Sequence, residues 1–139
     1  MATNISRMTT TASKAAVWDA LTNPDKVKVW QYGSELVTSW KVGDPIRFRT
    51  EWNGQIFEQW GTVLEFTPDE RLKYTLFAPR PDLEDEPENY FEMEYVVTGK
   101  GDTTELVIVQ VDNRPGAEQE PEQGDENPIL NMLRDLLEQ

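Results

Sequence analysis

The chain has 139 residues, enough for one domain that buries its own core without metal or disulfide help. It holds no cysteine and no histidine, which excludes thiol nucleophiles, thiolate metal sites, serine-histidine triads and histidine metal clusters. Acid or base chemistry is left to carboxylates, tyrosines or lysines. The formal charge is −13, from 26 acids and 13 bases, so phosphate recognition by clustered lysine and arginine is disfavoured and no nucleic-acid partner is expected.

That charge is unevenly placed. Asp82, Glu84, Asp85, Glu86 and Glu88 form one acidic run, and Glu118, Glu120, Glu122, Asp125 and Glu126 form another, with no base in either. Without those ten the remainder carries 16 acids and 13 bases, close to balance. Solvated loops that aid solubility are the plain reading; docking onto a basic partner is the other. The start, MATNISRMTT, lacks a basic cluster followed by an apolar run, and no segment approaches the roughly 18 apolar residues of a membrane span. The expectation is a soluble, cytoplasmic protein that does not insert into a membrane.

Thr3 to Thr10 reads as an edge-type strand. Ser13 can cap a helix through Ala15, Ala16, Val17, Trp18, Ala20 and Leu21, which Thr22 and Asn23 stop. Pro24 begins a second short helix with Val27 and Trp30 on one side. Two such helices do not stand alone in water, so they need a surface to lie against. Gln31 to Val42 is an irregular or short extended passage, turned at Gly43, Asp44 and Pro45.

Ile46, Phe48, Thr50 and Trp52 alternate with Arg47, Arg49 and Glu51, the pattern of a half-buried strand, and Asn53-Gly54 is a hairpin turn signal. The return strand, Gln55 to Phe66, has two readings of its facing. Ile56, Trp60, Leu64 and Phe66 favour one parity, Phe57 and Val63 the other, and Gly61 between them can host a bulge. Leu72, Tyr74 and Leu76 alternate as far as Pro79 and Pro81, and Phe91, Met93, Tyr95 and Val97 alternate again. Leu106 to Asp112 is a further strand, apolar enough for cover on both faces. Asn113 to Asn127, polar and rich in proline and glycine, reads as a mobile loop. Pro128 to Gln139 places Ile129, Met132, Leu133, Leu136 and Leu137 at helical spacing behind a cap at Asn127. Antiparallel hairpins with a terminal amphipathic helix make an α+β domain spanning 1–139, in which that helix roofs a curved sheet and the early helix pair closes one end.

The phrases VWDALTNPDKVKVW, WKVGDPIRFR, GTVLEFTPDERLKYT and TTELVIV, in this order, resemble the START-like (SRPBCC) helix-grip superfamily. Within it the sequence is most similar to the branch named for the activator of the ninety-kilodalton heat-shock protein ATPase, over roughly Ile5 to Val111. The resemblance implies a curved antiparallel sheet of seven strands wrapped on a C-terminal helix, two short helices after the first strand, and a hydrophobic cavity between sheet and helix. It supplies no catalytic triad. The chain departs from the family where Asn127 and Pro128 replace a Gly-Trp pair and only about three helical turns follow, which implies a smaller or more open cavity.

On that fold the expected ligand-binding residues are Trp30, Phe48, Trp52, Tyr74, Leu76, Phe91, Met93, Tyr95, Ile108 and Gln110, with Met132 and Leu133 from the last helix. Plain core packing is the competing reading of each aromatic. Tyr74, Tyr95 and Gln110 are the informative members, because a buried hydroxyl or amide must find a partner in the protein, in water or in a ligand. Glu58 and Asp112 are candidate acids or bases if an apolar setting surrounds them, against the plain reading of rim ion pairs. Val107, Val109 and Val111 form a stripe opposite Leu106 and Ile108 that, if exposed, suggests a dimer face.

The expected function is a non-enzymatic domain that binds an apolar, aromatic or lipid-like small molecule, with no cofactor, metal or catalytic residue assigned. A co-chaperone-like protein-interaction domain is the alternative, and a cyclase- or hydrolase-like enzyme using tyrosine and glutamate the third. Expected partners are a hydrophobic small molecule, with a homodimer or a chaperone as alternatives.

Overall fold

In a computed structural model, which describes residues 2–31, 33–124 and 127–138 and the backbone alone of Trp52, the helix pair forms from local signals. The Ser13 hydroxyl accepts the Ala16 amide at 3.1 Å and starts α1 (Lys14–Thr22). Asn23 ends α1 through its own amide, donated to Asp19 O, and opens α2 (Pro24–Trp30) by accepting the Asp25 amide at 3.0 Å, with Pro24 in the first turn. One residue thus closes one helix and caps the next.

The strands are β1 (Ala2–Thr10), β2 (Glu35–Thr38), β3 (Pro45–Trp52), β4 (Gln55–Thr67), β5 (Arg71–Leu76), β6 (Phe91–Lys100) and β7 (Thr103–Asp112). They make one curved antiparallel sheet in the order β1-β7-β6-β5-β4-β3-β2, with α3 (Pro128–Leu137) after it. Asn53 and Gly54 both take positive φ, as a tight β3–β4 hairpin requires. Val17, Leu21, Val27, Trp30, Leu72, Leu106 and Leu133 are essentially inaccessible and form the core where α1, α2 and α3 meet the sheet.

The facing of β4 is settled by a bulge. The pairing runs Val63 with Tyr74, then Glu65 with Lys73 and Phe66 with Leu72, so Leu64 is the extra residue and the parity switches there. Before it Phe57, Gln59 and Val63 share the inner face; after it Phe66 does. The expected bulge site, Gly61, has a different role. A Cβ there would fall inside the van der Waals radius of the Thr75 carbonyl oxygen, so only glycine lets β4 and β5 approach.

Within Asn113 to Asn127, expected as a mobile loop, residues 119–123 are bound along the free edge of β1. The Gln123 amide donates to Ile5 O at 2.9 Å, the Arg7 amide to Gln123 O at 2.9 Å, the Thr3 amide to Gln119 Oε1 at 2.8 Å and the Glu120 amide to Asn4 Oδ1 at 2.9 Å. Covering an edge strand satisfies its outward backbone groups and blocks pairing with another chain. The acids behave accordingly. Glu122 pairs with Arg7 at 2.7 Å, and Asp85 accepts from the Trp60 indole at 3.0 Å and from the Tyr90 hydroxyl; Asp125 and Glu126 lie outside the described residues. The valine stripe at 107, 109 and 111 is half-buried beside Arg7, Glu92 and Glu94 in the sheet, so it is not the exposed face it was expected to be.

Candidate functional site

Cross-strand register sets the concave floor in rungs. One runs Asn4, Gln110, Met93, Tyr74, Val63 across β1, β7, β6, β5 and β4. The next runs Ser6, Ile108, Tyr95, Leu72, Phe66, and β3 and β4 extend the surface with Phe48 opposite Gln59 and Thr50 opposite Phe57. Because side chains alternate, every residue of a rung faces the same way.

Above this floor lies a half-open recess of about 480 Å³. Phe48, Leu76, Phe91, Met93 and Ile108 form its apolar wall, with Trp30 and Gln31 closing one end from α2. Ile129 and Leu130, in the first turn of α3, overhang the opening, and Phe57 stands at its rim, 53% exposed. Ten residues of α3 rise about 15 Å, and its middle is spent on packing against α1, α2 and β1.

Of the expected binding residues, Trp30, Phe48, Tyr74, Leu76, Phe91, Met93, Tyr95, Ile108 and Gln110 all border this recess. The side chain of Trp52 lies outside the described residues. Met132 and Leu133 do not reach the recess: Leu133 is wholly buried in the core and Met132 packs against it. Their place is taken one turn earlier by Ile129 and Leu130. Trp30 is also a structural residue, its indole donating to Ala20 O at 2.8 Å.

Sequence reasoning missed Asn4, Ser6, Gln31, Ser34, Phe57 and Gln59 on the lining, as well as Glu120, Gln123 and Asn127 at the mouth. The alternation signal for Phe57 and Gln59 was present, but the uncounted residue at Leu64 concealed it. Glu120, Gln123 and Asn127 arrive with the strap on β1, which no local pattern announces.

Tyr74 and Tyr95 meet at the floor with their hydroxyl oxygens 3.0 Å apart and rings edge to face. Burial pushes the Tyr74 phenol well above its ordinary range. Both phenols are neutral at physiological pH. Around Tyr74, Phe48, Trp40, Phe66 and Trp18 form a continuous aromatic layer, with centroid separations from 5.3 to 6.4 Å.

The two carboxylates singled out as acid or base are both committed elsewhere. Glu58 faces away from the recess, paired to Arg47 at 3.4 Å and Arg49 at 3.2 Å. Asp112 sits at the inner end of β7, but Arg114 grips it at 2.7 and 2.9 Å, and that hydrogen bonding holds its carboxyl below the usual carboxylate range. A raised pKa was the condition for acid-base work by Asp112, and the structure gives the opposite direction. Among the described residues no cluster of acids has metal-binding geometry, and no helix is long and apolar enough to cross a membrane.

A curved seven-stranded sheet gripping a C-terminal helix, with two short helices after the first strand, defines the START-like helix-grip class. The family model described as "Activator of Hsp90 ATPase homolog 1-like protein" matches residues 11–138, and the chain belongs to that family. Among solved structures, a Cytophaga hutchinsonii protein determined in solution is similar at 27% identity and a TM-score of 0.71, covering 98% of this chain and 86% of its own. A Chromobacterium violaceum crystal structure is similar at 21% identity and a TM-score of 0.73, with 99% and 97% covered. The Aha1 dimer of Colwellia psychrerythraea matches at 17% identity and a TM-score of 0.62, with 85% and 81% covered. The search of curated proteins finds no match.

Proposed function

We propose that this chain is a small-molecule-binding domain that takes an apolar or aromatic ligand into the recess beneath α3 and performs no chemistry on it. The observation that carries this reading is the recess itself: about 480 Å³, within the range of ligand pockets, walled by aromatic and aliphatic side chains with a few polar groups on the floor. The expected binding residues that border it, from Trp30 to Gln110, are its contact surface under this reading. The ion-paired states of Glu58 and Asp112 weigh against the enzyme alternative.

Thermal unfolding with a panel of aromatic and lipid-like compounds tests it. A ligand present at a hundredfold its Kd stabilises by about 2.7 kcal/mol, a Tm rise on the order of 8 °C for a chain of this size. A panel that leaves both Tm and tryptophan emission unchanged removes the proposal.

The second reading, a co-chaperone-like interaction module or a homodimer, is supported by the family match and by exposed apolar side chains on the outer face, Val37 at 46% and Ile56 at 60%. Capture of a chaperone, lost when Val37 and Ile56 are replaced by serine, is its expected signature; salt-sensitive capture, lost when the acidic runs are neutralised, is the signature of docking through those loops.

A further inference from the structure

The chemistry of the lining narrows what the recess takes. Apart from Glu120 at the mouth, every polar lining side chain is an uncharged amide or hydroxyl, and no lysine or arginine borders it among the described residues. A carboxylate or phosphate drawn against this aromatic wall would lack a counter-charge, and an unpaired buried anion is strongly disfavoured. The guanidinium over the Phe91 ring is already occupied: Arg114 is clamped on Asp112 by two side-chain hydrogen bonds and lies 4.6 Å from that ring's centroid. Arg80, in the adjoining polar recess, is paired with Asp82 at 3.3 Å.

Proton counting at the floor is equally restrictive. Tyr74 and Tyr95 bring two hydroxyl protons, and the bond between them uses one. Neither hydroxyl makes a second hydrogen bond within 3.5 Å among the described residues. Whichever phenol donates to the other, one O–H remains, deep among apolar groups and bordering the recess. A buried donor without an acceptor carries a desolvation penalty that a ligand oxygen would remove.

Resting on the small-molecule-binding reading of this same recess, we infer that the ligand class is an uncharged, flat apolar molecule with a hydrogen-bond-accepting oxygen, such as an aromatic ketone, seated on the spare proton of the Tyr74–Tyr95 pair. The rings of Phe48, Tyr74 and Phe91 all line the recess and offer faces and edges to a flat body, and Met93 lies on the same rung as Tyr74.

Calorimetric titration with three matched probes tests this: naphthyl methyl ketone, ethylnaphthalene and naphthoate. The expected order is ketone tightest, about three- to tenfold ahead of the hydrocarbon, with the anion weakest. In the double variant Tyr74→Phe, Tyr95→Phe the ketone should fall to the affinity that ethylnaphthalene shows in the same variant, and near-UV circular dichroism matching the unaltered protein reports a folded recess. Equal affinities of ketone and hydrocarbon in the unaltered protein, or a ketone preference that survives in the double variant, overturn the assignment while leaving a binding recess. Naphthoate binding tightest overturns the neutrality of the ligand. Failure of all three to bind overturns the recess as a receptacle and this inference with it.

Discussion

At the concave floor two hydroxyls do what one does not. A single buried tyrosine can satisfy itself on a backbone carbonyl, whereas Tyr74 and Tyr95 bond to each other and leave a proton over. Tyr74→Phe should therefore cost only about 1 kcal/mol in urea-induced unfolding, since the ring packing persists. Asp112 has the opposite character. Its carboxyl is held below its ordinary value of 3.8 by Arg114, so the folded state prefers it ionised. The associated stability is fully present above about pH 4 and is lost as pH falls from there through the lower folded-state value. Asp112→Asn should flatten the stability profile below about pH 4, measured by urea unfolding at each pH; an unchanged acid slope would mean the pair contributes nothing. Glu58, gripped by two exposed arginines on the outer face, should be replaceable by Gln with little loss, because solvent-screened pairs contribute about 0–1 kcal/mol.

Elements whose ends are set by neighbouring residues were readable from the chain. Ser13, Asn23, Pro24, the Asn53-Gly54 turn and the Asn127 cap act over three or four positions, and each occupies the place its chemistry dictates. Asn127 accepts the Ile129 and Leu130 amides at 2.9 and 3.2 Å, so Asn127→Ala should lower stability by about 1 kcal/mol and loosen the turn that overhangs the recess. What local reading could not reach depends on partners far along the chain. The extra residue at Leu64 is visible only when β5 is laid beside β4, and it is what turns Phe57 inward and Glu58 outward. Trp40 holds φ at 61°, a costly conformation for a large side chain, with its indole bonded to Thr22 O at 3.1 Å and its ring on Phe66. The recess-lining residues on alternating strands were legible for the same reason the strands were. Met132 and Leu133 lie off the recess because α3 packs against the helix pair, a tertiary choice. Gly61→Ala should destabilise by about 1–3 kcal/mol in urea unfolding, since the atom it meets is backbone that cannot rotate away; a neutral result would mean β4 and β5 separate easily.

Across the whole molecule, a sheet wide enough to wrap a long helix is roofed by a short one. Closure is therefore incomplete over β3 to β6, and aromatic groups that a longer helix would cover line open space instead. The acidic runs belong to a different part of the architecture. One is moored to the outer face by Asp85, the other straps β1, and neither places a positive charge near the recess. The recess is thus lined by apolar and uncharged polar groups apart from Glu120 at its mouth, while the chain as a whole carries a charge of −13. The most direct test is a methyl and indole NMR titration with naphthyl methyl ketone. The account predicts that the Met93 methyl, the Ile108 methyls and the Trp30 indole N–H shift together and saturably, while the methyls of Val97, buried in the core beyond the recess, stay still. Saturation that moves only Val37 and Ile56 on the outer face, or leaves Met93 and Ile108 in place, would contradict it.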